Sequence, residues 1–180
     1  MSDVTRFLDR VPTVDAATEA ANVIDYVHHE IHDGSNFYVY VTDEDLDDNE
    51  TLDITMITPN TDKWNHTLFI ASGSVGYALS AYEGAITDVA GGAFVPINRN
   101  RNSSKVSGSI VRIGDTFTSL GSLAITFEAG GGDKKSGGAI FGARDELILK
   151  SNTQYLFRFT SRENDNRCSL FVDWYEHEDK

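Results

Sequence analysis

The sequence predicts an all-β protein: an antiparallel β-sandwich or jelly roll of about eight to ten strands. Three observations favour this class. Apolar and polar residues alternate with a period of two from residue 26 onward, segments rich in Gly, Pro, Asn and Asp separate the alternating runs, and no run of helical periodicity lies between them. At 180 residues, the chain has the length of one domain with a substantial core.

The clearest strands are runs in which every second residue is apolar. They lie at residues 37–41, 52–56, 123–127, 155–159 and 168–175, with further strands predicted at 68–71, 77–82, 106–113 and 146–150. The run near the C-terminus places Cys168, Leu170, Val172 and Trp174 on one face. Cys168 is the single cysteine, so it forms no intrachain disulfide, and its place in this run predicts a core residue.

Two segments depart from the alternating pattern. Residues 1–25 have poor apolar periodicity and are predicted to form an extended or partly helical N-terminal arm, which leaves 26–180 as the β-sandwich domain. Residues 129–144, "AGGGDKKSGGAIFGAR", contain six of the chain's 15 glycines. A loop of this length is typical either of a segment that orders against a partner or of an unconstrained surface loop.

The charge is strongly negative and unevenly placed. The net charge is −13, and residues 1–50 hold 13 acids against two bases, whereas residues 89–114 hold four bases and no acid. A strongly acidic protein is repelled by nucleic acid, so no nucleic-acid partner is expected. No apolar run approaches the ~20 residues that span a bilayer, so no membrane partner is expected either.

Three histidines and three carboxylates fall between Asp25 and Asp33. On a helix, His28 and His32 would share a face and could bind one zinc ion. On a strand, the two would lie ~13 Å apart, too far to share an ion. The Asp-Gly pair that follows favours a hairpin, so we predict a half-exposed strand here, with no metal and no cofactor.

No other motif makes a case for catalysis, and the sequence therefore predicts that the protein is not an enzyme. The acidic run at residues 43–50 has alternate carboxylates, but it lacks the glycine at the sixth position and the more distant terminal glutamate of a calcium loop. The nucleophile elbow, the phosphate-binding loop and the dinucleotide fingerprint are all missing from the sequence. A glycan hydrolase would need two carboxylates facing each other across a cleft.

Four segments occur in a distinctive order: "HHEIHDGSNF" at 28–37, "PINRNRNSSK" at 96–105, "DELILKSNTQYLFRFTS" at 145–161 and "DWYEH" at 173–177. Together they resemble a family of structural proteins from the virions of tailed bacteriophages. The resemblance implies a virion structural protein of the kind described as capsid decoration or cement. Together with the acidic charge, it predicts a homotrimer, made in the host cytoplasm, that binds the major capsid protein on the outer capsid surface and stabilises the shell.

Under that resemblance, one set of polar and aromatic side chains is predicted to form the capsid or subunit interface. The set comprises Arg99, Asn100, Arg101, Asn102, Lys105, His28, Glu30, His32 and Tyr175. The planar fork of an arginine binds a carboxylate through two hydrogen bonds, and the acidic first 50 residues of an adjacent copy would supply such groups. In the alternative interpretation, this is an ordinary loop in which the asparagines close their own turns.

A second function is also consistent with the sequence. A glycan- or host-binding module of a virion fibre would be a sandwich as well. Its exposed Tyr38, Tyr40 and Tyr82 would stack on sugar rings, and the acidic segment at residues 45–48 would hold calcium.

Overall fold

The computed structural model describes residues 26–130, 137–139 and 146–178. The predicted arm at 1–25 lies outside these residues, as does most of the glycine-rich segment. The described chain forms one helix and fourteen strands. These are α1 (Tyr26–Asp33), β1 (Asn36–Leu46), β2 (Thr51–Ile57), β3 (Lys63–Gly73), β4 (Tyr77–Glu83), β5 (Ile86–Thr87), β6 (Gly92–Phe94), β7 (Ile97–Asn98), β8 (Ile110–Ile113), β9 (Phe117–Ser119), β10 (Ser122–Ala129), β11 (Gly137–Ala139), β12 (Leu147–Leu149), β13 (Gln154–Ser161) and β14 (Asn166–Glu178).

Two antiparallel sheets of six strands each enclose one core, which confirms the predicted all-β sandwich. The first sheet has the order β11–β3–β14–β1–β7, with β12 also paired to β3, and the second has the order β10–β4–β13–β2–β8–β6. The main strands of the first sheet are β1, β3, β12 and β14, and those of the second are β2, β4, β10 and β13. These main strands follow the orders β1–β14–β3–β12 and β2–β13–β4–β10, with the first strand paired to the last, which is jelly-roll connectivity.

The core lies between the sheets and is filled by large side chains from both. Trp174 of the first sheet is 0% exposed, and Phe69 of the same sheet meets Phe157 of the second with ring centres 5.1 Å apart. Cys168 is 6% exposed, which confirms the prediction that it is a core residue. Burial raises the pKa of its thiol to about 11, so the reactive thiolate is suppressed at neutral pH.

Helix α1 shows that the strand predicted for the histidine segment is wrong. The helix ends in a Schellman motif: the Gly34 N–H donates to the Ile31 carbonyl over 3.1 Å, and the Ser35 N–H donates to the Glu30 carbonyl over 2.9 Å. Gly34 has a φ of +78°, which glycine adopts without steric cost. The Asp-Gly pair therefore ends a helix and does not turn a hairpin.

The strand predicted at 106–113 begins only at Ile110, because Glu176 binds the preceding loop. The Glu176 carboxylate accepts hydrogen bonds from Ser107 Oγ at 2.5 Å, from the Gly108 N–H at 3.0 Å and from Ser109 Oγ at 3.2 Å. Glu176 is 6% exposed, so these bonds hold the loop against β14.

Candidate functional site

The Asn/Arg segment and helix α1, which are distant in sequence, lie side by side. Asn100 Nδ2 donates to the backbone carbonyl of His32 over 2.9 Å. Lys105 Nζ donates to the Asp33 carboxylate over 2.6 Å, and this bond lowers the pKa of Asp33. The structure therefore places two parts of the predicted interface set, the Asn/Arg segment and helix α1, next to each other.

Asparagine side chains shape the segment, as the alternative interpretation predicted. Asn98 Oδ1 accepts the Asn100 N–H over 2.9 Å, and Asn100 Oδ1 accepts the Asn102 N–H over 3.1 Å. Asn98 is buried, and its Nδ2 donates to the Gly34 carbonyl over 2.8 Å, which ties the segment to the end of α1. These bonds fix the backbone that carries the two arginines.

The two arginines border a surface cleft of about 320 Å³, here called the arginine cleft. Its lining residues are Ile31, Tyr38, Arg99, Arg101 and Phe171. Tyr38 and Phe171 lie on the outer face of the first sheet with their rings stacked at 5.6 Å. The cleft thus combines apolar walls with two guanidinium groups, a composition that suits protein recognition.

The charge of Arg99 is engaged within the protein. Its Nε donates to Asp173 Oδ2 over 2.6 Å, its Nη2 donates to the same oxygen, and its guanidinium lies 5.6 Å from the Tyr38 ring centre. Burial raises the pKa of Asp173, while the charge of Arg99 and a hydrogen bond from Asn36 oppose that rise. Arg99 is therefore mainly a structural wall of the cleft.

Arg101 differs from Arg99 in this respect. Its side chain is exposed, and its Nη1 donates to the Asn98 carbonyl over 3.4 Å. Across the described residues Arg101 forms no ion pair, whereas Arg112, Arg158 and Arg162 are each bonded to a carboxylate. Arg101 therefore offers a positive charge to a ligand at the rim of the cleft.

Two of the predicted contact residues are turned away from the surface. Glu30 is 6% exposed and Tyr175 is 7% exposed. The Tyr175 hydroxyl donates to Glu146 Oε1 over 3.0 Å, and its ring stacks on His66. Neither side chain is available at the surface, so Glu30 and Tyr175 do not fit the predicted interface.

The histidine geometry also corrects the sequence argument. His28 and His32 are exposed on one face of α1, and their Nε2 atoms lie 3.0 Å apart, not the ~13 Å of a strand. Asn102 is exposed at the tip of the Asn/Arg segment.

Sequence reasoning missed Ile31, Phe171 and Asp173 as parts of the site and considered Tyr38 only as a platform for sugars. These contacts arise from the β1–β14 register, in which Tyr38 pairs with Asp173 next to Phe171 on the outer face, and the sequence alone does not show that register.

Two carboxylates of the acidic run at residues 43–50 accept hydrogen bonds from nearby backbone N–H groups. Asp43 Oδ1 accepts the Asp45 N–H over 2.9 Å, and Glu50 Oε2 accepts the Asp47 N–H over 3.0 Å. Within residues 26–130, 137–139 and 146–178, no group of three or more His, Cys, Asp or Glu side chains is arranged to hold a metal ion. In the same part of the chain, no helix has the length and apolarity to cross a bilayer.

Comparison with known proteins identifies no relative: no family model, no curated protein and no solved structure matches the chain. The resemblance to bacteriophage virion proteins thus stays a prediction from the four sequence segments.

Proposed function

We propose that the protein is a non-catalytic bacteriophage virion component that decorates the outer surface of the head. In this proposal the arginine cleft contacts the major capsid protein. The observation that carries the proposal is Arg101: an exposed cation, without an ion pair in the described chain, at the rim of an apolar cleft on a protein of net charge −13.

The chemistry of the cleft selects an acidic side chain flanked by apolar atoms. The guanidinium of Arg101 binds a carboxylate through two hydrogen bonds. The stacked rings of Tyr38 and Phe171 displace water beside that pair, which strengthens the attraction between the charges. The cleft needs little reorganisation because hydrogen bonds already hold its backbone, so less entropy is lost on binding.

The acidic character of the rest of the protein is consistent with an outer location. Packaged DNA repels an acidic protein, so such a protein avoids the inner surface of a capsid. Ligands that bind an assembled shell but not its separated subunits stabilise the shell by mass action. Homotrimers placed on symmetry axes would multiply a modest affinity for each copy by multivalency.

Cosedimentation with phage heads that lack the protein tests the proposal. Wild-type protein is expected in the pellet with the heads, and Arg101→Glu is expected to stay in the supernatant. The matched control is Arg167→Glu, an exposed residue at the far end of β14 that makes the same change of charge. Equal pelleting of Arg101→Glu and wild type, or failure of the wild type to pellet, would overturn the proposal.

One observation favours a second candidate, binding to a glycan on a host surface. Tyr40 is 51% exposed and lies on the same outer face as Tyr38, so it offers a flat apolar ring to a sugar. A glycan array with wild-type protein and Tyr40→Phe and Tyr40→Ala variants tests this function. Binding that survives in Tyr40→Phe and is lost in Tyr40→Ala supports it, and an array without signal eliminates it.

A further inference from the structure

A second histidine pair lies on the outer face of the first sheet, where β3 pairs with β14. His66 of β3 is opposite Tyr175 of β14 in the strand register, and His177 is opposite Trp64. The His66 ring stacks on Tyr175 with centres 4.5 Å apart, and its centre lies 4.6 Å from that of His177. Both imidazoles are therefore held by neighbouring aromatic rings.

The hydrogen-bond partners define which nitrogen of each ring carries a hydrogen. His66 Nδ1 is bonded to the Glu146 carboxylate, and His177 Nδ1 lies 3.0 Å from the Glu178 backbone carbonyl. Both partners are acceptors, so each Nδ1 donates a hydrogen. In the neutral rings, each Nε2 then carries a lone pair.

The two Nε2 atoms face each other at 2.7 Å. Two lone pairs at this distance repel, and a cation between them removes the repulsion. We propose that His66 and His177 form a binding site for a transition-metal dication such as Zn²⁺, with water completing the coordination. Imidazole nitrogens are suitable ligands for zinc, copper and nickel ions.

The surroundings of the pair suit this role. Glu146 accepts hydrogen bonds from His66 and from the Tyr175 hydroxyl, so it holds the His66 ring in place and adds a negative charge beside the ion. A carboxylate on the second nitrogen of a ligating histidine is a frequent arrangement in metal sites, and it fixes the orientation and raises the basicity of the ring.

The site requires only a small movement. Zinc–nitrogen bonds of ~2.0–2.1 Å in tetrahedral geometry separate two nitrogens by roughly 3.3 Å. The side chain of His66 is 13% exposed and held by Glu146, whereas His177 is half-buried close to the end of β14. A shift of the His177 ring by less than about 1 Å therefore creates the required separation.

Titration with ZnCl₂ tests the proposal, using the full chain after removal of metal with a chelator. His28→Ala serves as the background, because the helical pair of His28 and His32, with Nε2 atoms 3.0 Å apart, would offer zinc a second pair of imidazole ligands. Calorimetry in this background is expected to show one site. Adding His177→Ala is expected to abolish that site, and adding Glu146→Gln is expected to weaken it by about 10- to 100-fold. Urea unfolding in chelator checks that each variant is folded.

A second readout needs no substitution at the pair. Nitrogen-15 NMR of the imidazoles is expected to show zinc-dependent shifts of Nε2, and not of Nδ1, in His66 and His177. The proposal is wrong if the background protein binds no zinc. It is also wrong if the His177→Ala variant binds zinc as tightly as the background protein does. The same holds if only His28 and His32, the helical pair, show zinc-dependent shifts in the NMR spectra of the unsubstituted protein.

Discussion

Replacing Asp115 by Asn is expected to destabilise the protein strongly, although no ligand is involved. The Asp115 side chain is 0% exposed and lies 2.8 Å from Arg112 Nη2, while Thr87 Oγ1 donates to it over 2.9 Å and the Gly91 N–H over 2.7 Å. These bonds join β8 to the loop before β6 and to the ribbon formed by β5 and β9. Asparagine would turn an NH₂ group toward a set of donors and leave Arg112 without its countercharge.

The pKa of Asp115 gives the magnitude. Burial opposes ionisation, but the hydrogen bonds from Arg112, Gly91 and Thr87 outweigh it and lower the pKa from 3.8 to about 2. At ~1.4 kcal/mol per pKa unit, the ionised group contributes about 2 kcal/mol to the free energy of unfolding. Because the folded-state pKa is the lower one, this contribution is complete above the unfolded-state pKa and is lost as the pH falls toward 2. Breaking a buried ion pair costs about 3–5 kcal/mol. With the pKa-derived figure as the lower bound, a loss of about 2–5 kcal/mol is expected for Asp115→Asn at pH 7.

Urea unfolding, followed by tryptophan fluorescence at several pH values, measures this loss. The difference between wild type and Asp115→Asn is expected to shrink by about 2 kcal/mol between pH 6 and pH 2. Asp88→Asn is the control: Asp88 is exposed in the same region, and its replacement is expected to change the stability by less than about 0.5 kcal/mol. A loss below about 1 kcal/mol for Asp115→Asn at pH 7, or a loss independent of pH, would show that the ionised Asp115 does not stabilise the fold.

Two further substitutions test how the loops are held. Glu176→Gln is expected to lower the free energy of unfolding by about 1–3 kcal/mol, because its amide cannot accept both from Gly108 and from the other donors. Thermal unfolding checks this, and an unchanged midpoint would contradict it. Gly34→Ala is expected to cost more than Gly114→Ala in urea unfolding. Both glycines have a φ of +78°, a backbone conformation that costs alanine about 1–2 kcal/mol. Of the two, only Gly34 would place the added Cβ against a neighbouring atom, Ser103 Oγ. Equal losses would show that the Ser103 contact is absorbed by side-chain movement.

Much of the sandwich follows from local pattern alone. A strand with one buried face repeats its apolar residues at every second position, and the alternating runs at residues 37–41 and 168–175 do place Phe37, Val39, Leu170 and Val172 in the core. Strands of two to four residues, such as β5 and β7, are too short to show this period. Helix α1 has only eight residues, too few to show a clear helical period. The Asp33–Gly34 pair at its end is also common in the turns of β-hairpins.

The site was predicted less completely because its geometry depends on long-range pairing. The Asn/Arg segment was recognised from its composition, but its position against α1 results from the pairing of β7 with β1. Tyr38 reaches Phe171 and Asp173 only through the β1–β14 register, which joins residues more than a hundred positions apart. The burial of Tyr175 depends on Glu146 from a third segment. A single sequence carries no signal for contacts of this kind.

Electron cryomicroscopy of phage heads saturated with the protein tests whether the arginine cleft docks on the head. We expect density for the sandwich on the outer surface, with Arg101 within ion-pair distance of a capsid carboxylate and the Tyr38–Phe171 wall facing the shell. A decorated head in which the cleft faces solvent, or a head without added density at saturating protein, would show that the arginine cleft does not dock on the head.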